Sequence, residues 1–258
     1  MMSSRLNAAN LVASSCSNPT VGLEPMLARC AAMGYRRFEA FTSWAASHLD
    51  LGRDPADYRD LAARYGIAFT SLHLPPVKAA SGPTFERAVH AARFARDLGA
   101  GIVLFKADSR ETYIAAGRPF LDAIAGLGVV PVLQNHAGSP ITTLADMLAV
   151  RQGIADARMR TLLEVGYLHL AGTRWPAAAE ALAGTIDLVH IKDHIGERRV
   201  PFGQGDVDLK GLFAHLQSTG YAGGIVVEME VSKDVEENFC LQADAVAHCL
   251  TLFTEINP

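Results

Sequence analysis

Seven short apolar segments of this chain end in side chains able to carry protons, hold metal ions or grip oxygen. Glu39 closes RRFEAF, His73 closes IAFTSLH, Lys106 follows GIVLF, Gln134, Asn135 and His136 follow VVPVL, and Glu164 closes RTLLE. His190, Lys192 and Asp193 end IDLVHIKD, and Glu228 and Glu230 end GGIVVEME. Ionisable groups are disfavoured beside buried apolar runs unless something pairs them. Taken singly, each has a structural role open to it. Glu39 can pair with Arg36 or Arg37, His73 can be a satisfied core histidine, and Lys106 can pair with Asp108. Seven in succession point instead to one shared site.

Four of these groups, Gln134, Glu164, His190 and Glu228, make a mixed oxygen and nitrogen set suited to one divalent ion. Manganese is the first expectation, with magnesium, cobalt and zinc compatible; no cysteine is placed to demand zinc. Open positions on such an ion bind adjacent hydroxyl and carbonyl oxygens, and its Lewis acidity stabilises an enediolate when a proton leaves the neighbouring carbon.

The elements that must position these groups follow from a repeat. Helix-stop glycines precede the apolar segments at Gly34, Gly66, Gly99, Gly128, Gly184 and Gly220, spaced by 32, 33, 29, 56 and 36 residues. The 56 reads as two units of 28, so the period is near 32, about one eighth of the 258 residues. Eight strand candidates emerge, the seven above preceded by NAANLVAS, all short and rich in β-branched residues as buried parallel strands are. Helical spacing predicts helices at Leu23–Met33, Pro55–Tyr65, Phe85–Leu98 and Leu209–Thr219 among others. Asp54 before Pro55, and Asp234 before Glu236 and Glu237, supply start signals. Eight strands alternating with eight helices predict an α/β fold, a (β/α)8 barrel, as a single domain over 1–258, with the site at the C-terminal strand ends. A doubly wound nucleotide fold is excluded by the absence of GxGxxG after an early strand.

Composition agrees with small-molecule chemistry. With 50% hydrophobic and 19% charged residues and a net charge of −4, the chain offers no electrostatic footprint for nucleic acid and no membrane span. The N-terminal segment lacks the apolar stretch of a secretory signal, so a cytoplasmic location is expected. Cys16, Cys30, Cys240 and Cys249 are scattered without a CxxC pair and read as reduced, core-packing thiols.

In order along the chain, SLHLP, LQNHAG, LLEVGYLHLAG, VHIKD, FGQGDVD and VVEME resemble the xylose isomerase-like TIM barrels. Within that family the resemblance is to the sugar-phosphate isomerases and epimerases, including tagatose and psicose 3-epimerases, hydroxypyruvate isomerase and inosose dehydratase. It implies a metal on the residues aligned with the family's Glu, Asp, His, Glu set, here Gln134, Glu164, His190 and Glu228. Two depart from that pattern: Gln134 loses a negative charge, and Glu164 reaches one methylene further. Gln134 cannot act as acid or base, so symmetric two-glutamate epimerisation is not expected. The resemblance leaves Glu228 as the base, with Glu164, His136, His73 or Lys192 as the second proton carrier, and a phenol at Tyr167 where the family often has histidine. By the same resemblance, Glu39, His73, Lys106, His136 and Lys192 surround the metal to bind hydroxyls or a carboxylate. Arg198 and Arg199 clamp a terminal substituent.

The leading expectation is a metal-dependent isomerase or epimerase of a small sugar, keto-sugar or polyhydroxy acid. A metal-dependent dehydratase of an inosose or dehydroshikimate comes second, since it uses the same metal and base. A non-catalytic sugar-binding subunit is motivated by Gln134. An abasic-site endonuclease shares the barrel but is disfavoured by the acidic balance. Homo-oligomers are common in such families.

Overall fold

The computed structural model describes residues 5–257; residues 1–4 and 258 of the expected 1–258 domain lie outside the described residues. Each of the eight apolar segments forms a strand: β1 (Leu11–Ser14), β2 (Arg37–Phe41), β3 (Ala68–His73), β4 (Ile102–Leu104), β5 (Val130–Leu133), β6 (Arg160–Glu164), β7 (Ile186–Ile191) and, after a short hairpin of β8 (Asp193–Ile195) with β9 (Arg198–Val200), β10 (Gly224–Val227). The eight long-range partners pair in parallel in the order β1-β10-β7-β6-β5-β4-β3-β2 and close into a barrel. Closure leaves every strand covered on both faces, which is why these segments read as nearly continuous apolar runs.

Helices α1 (Leu23–Ala32), α2 (Pro55–Arg64), α3 (Pro83–Leu98), α4 (Arg110–Ala123), α5 (Leu144–Ile154), α6 (Val165–Leu170), α7 (Trp175–Ala181), α8 (Leu209–Ser218) and α9 (Val235–Glu255) form the outer layer. The start signals act as expected: Asp54 accepts from the Ala56 N–H with Pro55 at the first turn, and Asp234 accepts from the Glu237 N–H. The repeat predicts eight helices and nine occur among the described residues, because the unit after β6 is split. There α6 begins directly at Glu164, ending in the turn before α7.

The core has two layers. Phe38, Phe120 and Phe213, all fully buried, belong to the large layer between barrel and helices. Inside the barrel, Val12, Leu104, Val132, Leu162, Leu188 and Val226 pack as a separate apolar plug. Side chains alternate along a strand, so the residue two positions on faces the same way. All six members of the plug are followed at that offset by a polar group: Val12 by Ser14, Leu104 by Lys106, Val132 by Gln134, Leu162 by Glu164, Leu188 by His190 and Val226 by Glu228. The polar ring is therefore the next layer of the same strands.

All six helix-stop glycines have positive φ, with Gly99 capping α3 at 87°. The double interval between Gly128 and Gly184 hides a seventh stop that is not glycine. Ala155 caps α5 in the left-handed conformation, φ 50° and ψ 43°, where its Cβ is strained. Ala155 is exposed, so Ala155→Gly should stabilise the fold by about 0.5–1 kcal/mol, net of glycine's greater unfolded-state entropy. Thermal and urea denaturation check this; a loss of stability would show that the cap is not strained.

Candidate functional site

Glu39, Glu164 and His190 are fully buried and Glu228 is 5% exposed, so the barrel mouth concentrates three carboxylates in very little water. Burial raises the cost of each charge, and the pairing must offset it. Glu39, expected to close β2, lies in the middle of that strand, with both oxygens engaged. Its Oε1 is 2.9 Å from His73 Nε2, and its Oε2 lies 3.1 Å from His190 Nε2 and accepts from Ser71 Oγ at 2.8 Å. Burial opposes its ionisation, but the His190 and His73 rings outweigh that and hold the carboxyl well below the usual range. For this reason Glu39 does not reach the cavity lining as a substrate contact; it anchors two histidines.

With its Nε2 on Glu39, His190 turns Nδ1 toward Glu164 Oε2 and Glu228 Oε1, both at 3.3 Å. Burial disfavours a charged ring, yet the Glu39 and Glu228 carboxylates raise its pKa well above normal. Lys192 follows immediately after β7. Its ammonium is 3.2 Å from Glu164 Oε2, bonds Glu228 Oε2 and lies 4.3 Å over the Tyr167 ring. Glu228 is opposed by burial but held ionised, well below the usual carboxylate range, by Lys192 and His190. Burial pushes the Glu230 carboxyl up, with Lys192 opposing.

The donor set fits a divalent ion. Separations of 3.3 Å between His190 Nδ1 and the two carboxylate oxygens match the edges of a coordination shell with bonds of about 2.1 Å. His190 Nδ1 and Glu164 Oε1 are buried without a hydrogen-bond partner. Glu39, His73 and His190 converge similarly, but the Glu39 oxygens are already engaged.

Above this floor lies a cavity of about 630 Å³, lined by His73, Lys106, Gln134, His136, Lys192 and Glu228 among others. Gln134 and Lys106 make no side-chain hydrogen bond or ion pair among the described residues. Lys106 instead sits 5.8 Å over the Phe41 ring. Burial lowers its pKa to about 8, with Glu39 and Glu228 opposing. His73 stacks on Phe41 at 3.8 Å with Nδ1 unpartnered, and burial lowers its pKa to about 4. His136 packs against Tyr167 at 4.4 Å, and burial lowers its pKa too. At the rim Trp44, 58% exposed and with φ 59°, packs edge-on against Phe41. Positive φ at a bulky residue is strained backbone.

Alternation in the hairpin separates the two arginines. Arg199 bonds Tyr167 Oη at 3.0 Å and faces Glu230 at 3.3 Å, whereas Arg198 is exposed and joins nothing in the cluster. Asp193 turns away from the site to organise this loop. Its carboxylate accepts from the backbone N–H groups of His194, Gly203, Gly205 and Val207. A Cβ on Gly205 would overlap Asp193, which gives the GxG segment its physical reason.

Two thiols differ from their expected packing role. Cys240 is exposed, and Cys16 lines the cavity with its thiol donating to Glu228 Oε1 at 3.1 Å. Burial, then Glu228, pushes that thiol's pKa well up, so it stays a donor. The available signal was positional: Cys16 follows β1, the one strand with no ionisable terminus. Glu230 likewise lines the cavity and belongs to the site.

Residues 27–248 match the family model described as xylose isomerase-like TIM barrel. No curated protein sequence matches the chain. Among solved structures, it is similar to a D-tagatose 3-epimerase-like protein, with a TM-score of 0.76 at 16% identity, over 96% of this chain and 100% of that one. It is similar to an L-ribulose 3-epimerase, with a TM-score of 0.73 at 20% identity, over 96% and 95%. A third is the IOLI protein with a bound zinc atom, with a TM-score of 0.70 at 15% identity, over 96% and 97%. At these identities the likeness is one of fold. No helix among the described residues is long and apolar enough to cross a membrane.

Asp193→Ala strands four backbone donors and should cost about 2–4 kcal/mol. Hydrogen exchange across 195–207 should accelerate; unchanged exchange would show that the loop holds itself.

Proposed function

This chain belongs to the xylose isomerase-like TIM barrel family, and from that premise we propose that it is an isomerase or epimerase of a small sugar, keto-sugar or polyhydroxy acid. The observation that carries this reading is the convergence of Glu164, His190 and Glu228 directly beneath a cavity large enough for such a molecule. A divalent ion held by these three, with Gln134 as a neutral fourth donor, supplies Lewis acidity toward vicinal carbonyl and hydroxyl oxygens. The oxygen-rich set suits manganese or magnesium.

Glu228 lines the cavity and is ionised, the state a base requires, so it takes the proton from the carbon beside the carbonyl. His136 and His73 face the same space as carriers for the proton's return, and Lys192 and Glu164 complete the charge balance beside Glu228. Lys106, without an ion-pair partner, binds a hydroxyl or carboxylate of the substrate. Arg199 reaches the same region through Tyr167 and Glu230. Gln134 carries no proton, which favours chemistry run from one base. A dehydration, in which the same abstraction is followed by loss of water, is the second reading for that reason.

Incubation of the manganese-supplied protein with keto-sugars, aldoses and aldonic acids in deuterium oxide tests both. Isomerisation or epimerisation places deuterium at the carbon beside the carbonyl without elimination, whereas dehydration releases an unsaturated product. Glu228→Gln should lower turnover by about 10²–10⁴-fold; unchanged turnover would remove its role as base. Lys106 is cationic below its pKa of about 8 and neutral above it, so KM should rise as pH passes through that value. Lys106→Met should raise KM at neutral pH and flatten that limb, and a limb that survives would assign it to another group.

A further inference from the structure

Lys192 and a divalent ion cannot share this floor unchanged. The ammonium contacts Glu164 Oε2, the atom that also stands 3.3 Å from His190 Nδ1 at the edge a metal would span. It also bonds Glu228, whose other oxygen forms the second such edge. The two carboxylates that would hold the ion are therefore already neutralised by a cation of the chain itself. A second carboxylate lies on the cavity side: Glu230 Oε2 is 3.8 Å from Lys192 Nζ, accepts no hydrogen bond, and already faces Arg199 at 3.3 Å, so it would be shared between the two cations. The stem of Lys192 passes close to Gly166, where a Cβ would come within 2.8 Å of Lys192 Cβ and 3.2 Å of its Cδ.

We propose that Lys192 is a displaceable internal cation, holding Glu164 and Glu228 together when no divalent ion is bound and passing to Glu230 when one enters. The inference rests on reading Glu164, His190 and Glu228 as the ion's ligands. It makes the chain a weaker metal binder than those ligands alone would be, and it gives Glu230 a role in metal affinity without ligating the metal. The exchange also turns the ammonium, already part of the cavity lining, away from the two buried carboxylates and toward Glu230, where it can meet a substrate oxygen.

Manganese titration of the full chain, stripped of metal and followed by electron paramagnetic resonance or calorimetry, tests this without any substrate. Lys192→Met should bind one Mn²⁺ per chain at least tenfold more tightly than the unaltered chain. Glu230→Gln should loosen binding severalfold while Lys192 is present and have no effect in the Lys192→Met background. Equal or weaker affinity in Lys192→Met, an equal effect of Glu230→Gln in both backgrounds, or no binding by any variant would each overturn the proposal. If Lys192→Met does not fold by circular dichroism, Lys192→Gln keeps the comparison, and Glu230→Gln alone must still loosen binding. Because the readout is a dissociation constant, the expected pattern in a chain that converts no sugar would remove the proposed activity and leave this inference standing. Turnover with affinities indifferent to Lys192 would do the reverse.

Discussion

Neutralising three buried carboxylates in one barrel mouth is the constraint on which the rest of this site depends. Glu39, Glu164 and Glu228 would each be prohibitively costly alone at their depth, and two cations, His190 and Lys192, are shared among them. His190 is anchored at Nε2 by Glu39 and turns its unbonded Nδ1 toward Glu164 and Glu228, 3.3 Å from each. That arrangement fixes the ring's orientation as the partner of a metal-ligating histidine does. Removing any member leaves another charged and buried, so the residues act as a unit.

The barrel supplies the depth. Its plug and its polar ring alternate on the same strands at a two-residue offset, so the packing that closes the barrel also sets the height of each functional group. Leu162 and Leu188 sit directly below Glu164 and His190, and the paired register of Glu164 with His190 across β6 and β7 brings the two together. Asp193 then turns the chain out of the barrel into the hairpin that carries Arg199.

Much of this was legible because short parallel strands repeat. All eight apolar segments became strands, and the strand-end rule singles out Glu164, His190 and Glu228, whose ligand atoms the fold brings together. What escaped depended on contacts a linear pattern does not contain. Ala155 hid a helix stop because alanine rarely adopts a left-handed conformation. Cys16 looked like packing until the closing of β1 against β10 brought it to Glu228. Glu39 stands in mid-strand and not at a strand end, because β2 continues to Phe41. Arg198 and Arg199 could not be told apart before the hairpin's alternation was known. The pairing of Lys192 needed three strand ends to be placed at once.

Trp44 gives the molecule an optical property of its own. The chain has two tryptophans, and the other, Trp175, packs beside His215 away from the cavity. Trp44 is exposed at the rim and touches Phe41, which in turn carries His73 and Lys106 on its faces. A molecule entering the cavity passes one indole and not the other. Intrinsic emission is thereby divided into a component that senses occupancy and an internal standard that does not, without any label being attached.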